Sequence, residues 1–123
     1  PEGLLDYRTS IGADDVLILA DIQVKYAKMV TPRPLAESAR AARERGADAI
    51  VVTGDMSGDA PRVEDLREAA EGLPVLVGSG LTPDNAAELL AECDGAIVGT
   101  SLMKDAAVDP DALQALMSVV RSC

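Results

Sequence analysis

Short, nearly unbroken apolar runs alternate along this chain with longer stretches in which apolar residues recur every three or four positions. The runs are residues 16–22 (VLILADI), 49–53 (AIVVT), 75–77 (VLV) and 96–98 (AIV). Each is rich in β-branched residues and bounded by Gly, Asp or Pro, so each reads as a buried strand. The intervening stretches read as helices. Residues 4–11 form the tail of one that ends at Gly12, and residues 34–46 (PLAESARAARERG) place Leu35, Ala39 and Ala42 on one face before stopping at Gly46. Residues 63–70 follow Pro61 and close at Gly72. Residues 82–92 open with a candidate cap, Thr82, then Pro83 and Asp84. The last helix has Asp109 as cap and Pro110 at its first position, with Leu113, Leu116, Met117 and Val120 on its apolar side.

The predicted order is a helix followed by four βα units, with no linker between them. Strands joined through helices run parallel, because a parallel crossover is long and right-handed. Residues 1–123 therefore form a single (βα)4 unit of the α/β class. Two architectures compete, a small doubly wound sheet and half of a (βα)8 barrel, and strand order separates them. A barrel keeps its strands in chain order, whereas a doubly wound sheet reverses at a switch point. A full barrel takes about 250 residues, about twice this chain. The chain also begins at Pro1, inside a helix-like stretch, as expected of a partial unit.

Composition narrows the partners. Hydrophobic residues make up 48% of the chain, but only 2% are aromatic, so the core must be built from Val, Leu, Ile and Ala. Such residues suit a parallel sheet buried on both faces. A net charge of −10 argues against nucleic acid or an anionic membrane surface as partner. The acid excess with few lysines fits salt adaptation, although an ordinary acidic soluble protein is the preferred reading. No run approaches a membrane span of roughly 20 residues, and no signal peptide is visible. Cys93 and Cys123 lack metal-ligand or redox spacing, which favours reduced thiols and a cytoplasmic location. There is no histidine, so acid–base chemistry would fall to carboxylates, Lys or Tyr. No metal site is read, and no cofactor is specified.

Candidate chemistry lies where the runs end. Gly78, Ser79 and Gly80 follow the third run, and Gly99, Thr100 and Ser101 follow the fourth. Such loops present backbone N–H groups with little side-chain bulk, which suits an anion. In barrels, phosphate is frequently held by the loops after strands seven and eight together with a short extra helix. Residues 101–104 could supply that helical turn. The amides of Gly80, Thr100 and Ser101 are expected to converge, and Val at Gly80 or Gly99 to abolish phosphate binding with little loss of fold. Asp21 and Lys25 close the first run, Thr53 and Asp55 the second. Asp21 shares a strand face with Leu17 and Leu19, and a carboxylate there must be paired or solvated. It reads as a general base, metal ligand or sugar-hydroxyl acceptor with Lys25 as partner, or else as a structural pair. Gly54, Ser57 and Gly58 suit either a lid or an ordinary surface loop. Tyr26 is read as packing.

The ordered motifs ILADIQVKYA, ERGADAIVVTGDMSGDAP, PVLVGSGLTPDNAAEL and DGAIVGTSLMKD resemble the C-terminal half of the BtpA family. Those proteins are similar to ribulose-phosphate-binding TIM barrels. The resemblance implies strands five to eight of a barrel, phosphate loops at Gly78–Gly80 and Gly99–Ser101, and Asp21, Lys25 and Thr53 lining the mouth. Where the family tends to carry His, this chain has Tyr26. The implied function is binding of a phosphorylated small metabolite, with or without catalysis. The alternative is a non-catalytic biogenesis or stabilising factor for a protein complex, as in photosystem I biogenesis. The expected partner is an N-terminal half-barrel or a second copy, which would cover the open edges and the inward face.

Overall fold

The computed structural model of the chain describes residues 2–24, 30–55 and 58–123. Four parallel strands lie side by side in chain order: β1 (Leu19–Asp21), β2 (Ala49–Val52), β3 (Val75–Val77) and β4 (Gly95–Ala96). The helices are α1 (Glu2–Ser10), α2 (Leu35–Glu44), α3 (Val63–Ala69), α4 (Ala86–Leu90) and α5 (Pro110–Val120). The sequential parallel order is that of a barrel and excludes the doubly wound alternative.

Alternation along the strands divides the sheet into two faces. Ile50, Val52, Val75 and Val77 point to the helices and are at most 2% exposed. They form one cluster with Ala39, Leu66, Ala69, Ala86, Leu89 and Leu116. Small helix residues let each helix sit close to the sheet, which is how a core without Phe or Trp is filled. The opposite face carries Leu19, Asp21, Val51, Leu76 and Ile97. Leu19 and Ile97 are 44% and 52% exposed, while Val51, flanked by strands on both sides, is buried.

At the amino ends of the strands one device is used twice. Asp48 Oδ2 accepts a hydrogen bond from Ile18 N, and Asp94 Oδ2 accepts one from Val75 N, both at 2.8 Å. In each case the carboxylate preceding one strand holds a backbone N–H at the entry to its neighbour. Outside, ion pairs link neighbouring βα units: Arg40 to Glu71 at 3.3 Å and Arg67 to Glu92 at 2.6 Å.

Several boundaries differ from the sequence reading. The first run yields a strand only from Leu19, because Val16 N bonds Ala13 O in a turn and Ile18 N is taken by Asp48. Val16 and Leu17 are left exposed. The fourth strand ends at Ala96, although Ile97 N still bonds Val77 O. Thr82 does not cap a helix over residues 82–92. Asn85 Oδ1 accepts from Thr82 N at 2.8 Å and Asn85 Nδ2 donates to Gly80 O at 2.9 Å, so α4 starts only at Ala86. Leu113 on α5 is 39% exposed rather than packed, while the Asp109 cap forms as expected, accepting from Asp111 N at 2.9 Å. The helical turn expected over residues 101–104 is instead a 3-10 turn at Thr100–Leu102. An antiparallel hairpin follows, β5 (Met103–Lys104) with β6 (Ala107–Val108), as a separate sheet. Its turn residues Asp105 and Ala106 both have positive φ, a conformation usually given to Gly or Asn, so the hairpin has no glycine signal in the sequence.

Candidate functional site

The two glycine loops meet. Gly78, Ser79, Gly80 and Thr82 line one side of a cavity of about 390 Å³, and Ile97, Val98, Gly99, Thr100 and Ser101 line the other. Gly58, from the loop after β2, completes the wall. Ser101 Oγ donates to Leu81 O at 2.9 Å and fixes the two loops together. Ser79 Oγ donates to Asp59 O at 2.7 Å and accepts from Gly54 N at 3.3 Å, tying the β3 loop to the β2 loop. Both serine hydroxyl protons are therefore spent on backbone. The N–H groups of Gly80, Gly99, Thr100 and Ser101 have no hydrogen-bond acceptor among the described residues. No charged side chain lines this cavity among the described residues, so its anion-binding capacity is that of neutral amides.

The three glycines do different work. A Cβ on Gly78 would lie 2.5 Å from Val51 Cγ1 and 2.8 Å from Thr53 Cγ2. One on Gly80, whose φ is +73°, would collide with the backbone of Asp59 and Ala60. A Cβ on Gly99 meets nothing within 4 Å. The expectation that Val at Gly80 spares the fold is thus overturned: Gly80 is required by backbone conformation and contact. Gly99 instead leaves open space in the cavity.

Asp21 and Thr53 do not line that cavity. Asp21, at the carboxyl end of β1 and in register with Val51, lines a separate cleft of about 420 Å³ along the open edge, with Leu4, Leu5, Leu19 and Arg33. Thr53 follows β2 and lines a third cavity of about 610 Å³ with Gln23, Gly54, Asp55, Pro61 and Arg62. Its Oγ1 is fully shielded and has no hydrogen-bond partner among the described residues. A hydroxyl in that state costs on the order of 1–3 kcal/mol. Lys25, Tyr26 and Ser57 lie outside the described residues.

Two features of the mouth carried no sequence signal. Gln23 adopts φ 52° two residues after β1, and its Nε2 donates to Arg33 O at 3.0 Å and to Ser38 Oγ at 3.1 Å. It joins the two ends of the loop between β1 and α2, and Ser38 is a buried polar residue that receives it. Next to the third cavity, the Arg62 guanidinium holds the Asp65 carboxyl below its ordinary range through a 2.7 Å hydrogen bond. Burial pushes the Cys93 thiol up, which keeps it protonated and a poor nucleophile.

The model of the BtpA family matches residues 2–122. The chain belongs to the BtpA family. It is 37% identical over 125 residues to the photosystem I biogenesis protein BtpA of Synechocystis sp., covering 95% of this chain and 43% of that protein. An uncharacterized protein of Archaeoglobus fulgidus is 34% identical over 98% of this chain and 52% of its own length. The chain spans about half the length of the curated relatives it matches. Among solved structures, N-(5'-phosphoribosyl)anthranilate isomerase from Pyrococcus furiosus superposes with a TM-score of 0.68 at 16% identity, over 99% of this chain and 58% of that one. That likeness is one of fold: this BtpA-family chain matches about half of a TIM barrel. Among the described residues no helix is long and apolar enough to cross a membrane.

Proposed function

We propose that this BtpA-family chain binds a phosphorylated small metabolite at the carboxyl-terminal mouth of its barrel. The phosphate sits between Gly78–Gly80 and Gly99–Ser101. The observation that carries this reading is the cavity of about 390 Å³ between two loops whose amides at Gly80, Gly99, Thr100 and Ser101 have no acceptor among the described residues. Backbone N–H groups left without a partner in the protein are ready donors to an anion. Asp21, Lys25 and Thr53 are assigned to the rest of the mouth, where the remainder of the molecule would lie. Reaction type does not follow from fold.

Titration with inorganic phosphate, followed by amide NMR shifts, tests the site. Binding should shift Gly80, Thr100 and Ser101. Gly99→Val should abolish those shifts while leaving the melting temperature within a few degrees, because its side chain enters open space. Gly80→Val should lower the melting temperature sharply. Saturable phosphate binding that survives Gly99→Val would remove the site from these loops.

The 37% identity to a photosystem I biogenesis protein supports a second reading, an assembly or stabilising role in which no metabolite turns over. Under either reading the bare sheet face and the edges at β1 and β4 are covered by a second half-barrel, in the same polypeptide or in another copy, since unpaired edges and apolar faces attract partners.

A further inference from the structure

We infer that Thr53 is a ligand-contacting residue that gives the site its preference for a hydroxyl-bearing phosphate ester over bare phosphate. The inference rests on the phosphate reading above and concerns the other end of the bound molecule. Thr53 directly follows β2, and Gly78 directly follows β3, its neighbour in the sheet. Adjacent strands are about 5 Å apart, a distance that a short carbon chain attached to a phosphate spans. Two observations single out this threonine. Its Oγ1 is shielded and has no partner among the described residues, whereas buried polar groups in folded proteins are nearly always paired. Its Cγ2 lies on the side of Gly78, which lines the phosphate cavity and has no side chain to separate them. The residue as a whole is half-buried, so its accessible surface belongs to atoms other than Oγ1. A turn of about 120° about χ1 carries Oγ1 into the staggered position that Cγ2 holds, and Cγ2 into that of the Cβ hydrogen. It brings the hydroxyl to the Gly78 side, where a ligand hydroxyl or carbonyl can pair with it. Bare phosphate, held by the loops after β3 and β4, has no carbon chain to carry a hydroxyl or carbonyl across to Thr53. The ligand class is therefore a small phosphate ester with a hydroxyl or carbonyl near the phosphate.

The test is calorimetric titration of the intact protein with inorganic phosphate and with ribose 5-phosphate as probes. The wild type should bind ribose 5-phosphate about tenfold more tightly than phosphate, the range expected for one rescued hydrogen bond. Thr53→Val should reduce that ratio to within about threefold, with phosphate affinity unchanged and the melting temperature equal or higher. Thr53→Ser should restore the ratio. In the wild type, the Thr53 γ-methyl NMR signal should shift with ribose 5-phosphate and stay in place with phosphate, a readout independent of whether the valine variant folds. An unchanged ratio in Thr53→Val, or a methyl signal indifferent to both probes, would overturn the role of Thr53 while leaving the phosphate site standing. Absence of saturable phosphate binding would overturn the phosphate reading and this inference together.

Discussion

The two faces of one sheet are finished to different degrees. On the helix side, Leu66, Ala69, Val77 and Ala86 are wholly buried, and ion pairs join neighbouring helical units outside them. On the other side, Leu19 and Ile97 are about half exposed, and the open edge of β1 is flanked by an apolar cleft. Hydrophobic burial stabilises by roughly 25 cal/mol per Å² of apolar surface removed from water, so the finished face holds this fold and the bare face is where stability can still be gained. The lesson is about architecture. A βα unit can complete its outer layer locally, because each crossover helix covers the strands it joins. The inner layer of a barrel is shared by strands distant in sequence, and half the strands cannot close it.

The largest expected effect separates the faces directly. Leu66→Ala, at a fully buried position on α3, should lose about 2–5 kcal/mol in denaturant unfolding. Leu19→Ala, on the bare face, should lose less than about 1 kcal/mol in the isolated chain. Equal losses at the two sites would show that the inner face is already covered in solution, and the contrast between the faces would collapse.

Association sharpens the same comparison. At a net charge of −10 two copies repel one another, and screening weakens that repulsion as the Debye length falls from about 10 Å at 0.1 M salt to about 3 Å at 1 M. Sedimentation of the isolated chain should therefore show self-association that increases with salt, and Leu19→Asp should reduce it. A monomer at both salt concentrations, with no dye-accessible apolar face, would refute the assignment of that face to a second half-barrel.

Much of the fold was legible because the information is local. The run 49–53 is β-branched and continuous, and it gives a strand at Ala49–Val52. Gly46 marks the stop of α2 with a φ of +86°. The ends of the first strand and of α4 were hidden because side-chain hydrogen bonds to backbone set them, one from far along the chain and one from within the turn. Asp48, 30 positions along, takes Ile18 N, and Asn85 turns back onto Thr82 and Gly80. The meeting of the two glycine loops was readable from their repetition after consecutive strands. The separation of Asp21 and Thr53 from that cavity was not, since it depends on which side of the sheet and which crevice each strand end faces. The unpaired Thr53 hydroxyl had no signal of any kind, because an unsatisfied group is a property of its surroundings.

The smallest expected effect lies at the rim of the finished face. Asp65 has its carboxyl held below the ordinary range, first by the hydrogen bond from the Arg62 side chain, while burial acts in the opposite sense. A carboxyl whose folded pKa is depressed contributes stability that is fully present above its unfolded value, near pH 4, and is lost as the pH falls through the lower folded value. The Arg62 side chain is 76% exposed, so screening keeps the contribution of the pair small. Unfolding measured from pH 6 downward should therefore show a shallow loss of stability below about pH 4. In Asp65→Asn that loss should be flatter, and the neutral-pH stability slightly lower. Leu19→Ala should leave the acid slope untouched, since the bare face has no part in the Arg62–Asp65 pair. An acid slope unchanged in Asp65→Asn would place the titrating carboxylates elsewhere on the molecule.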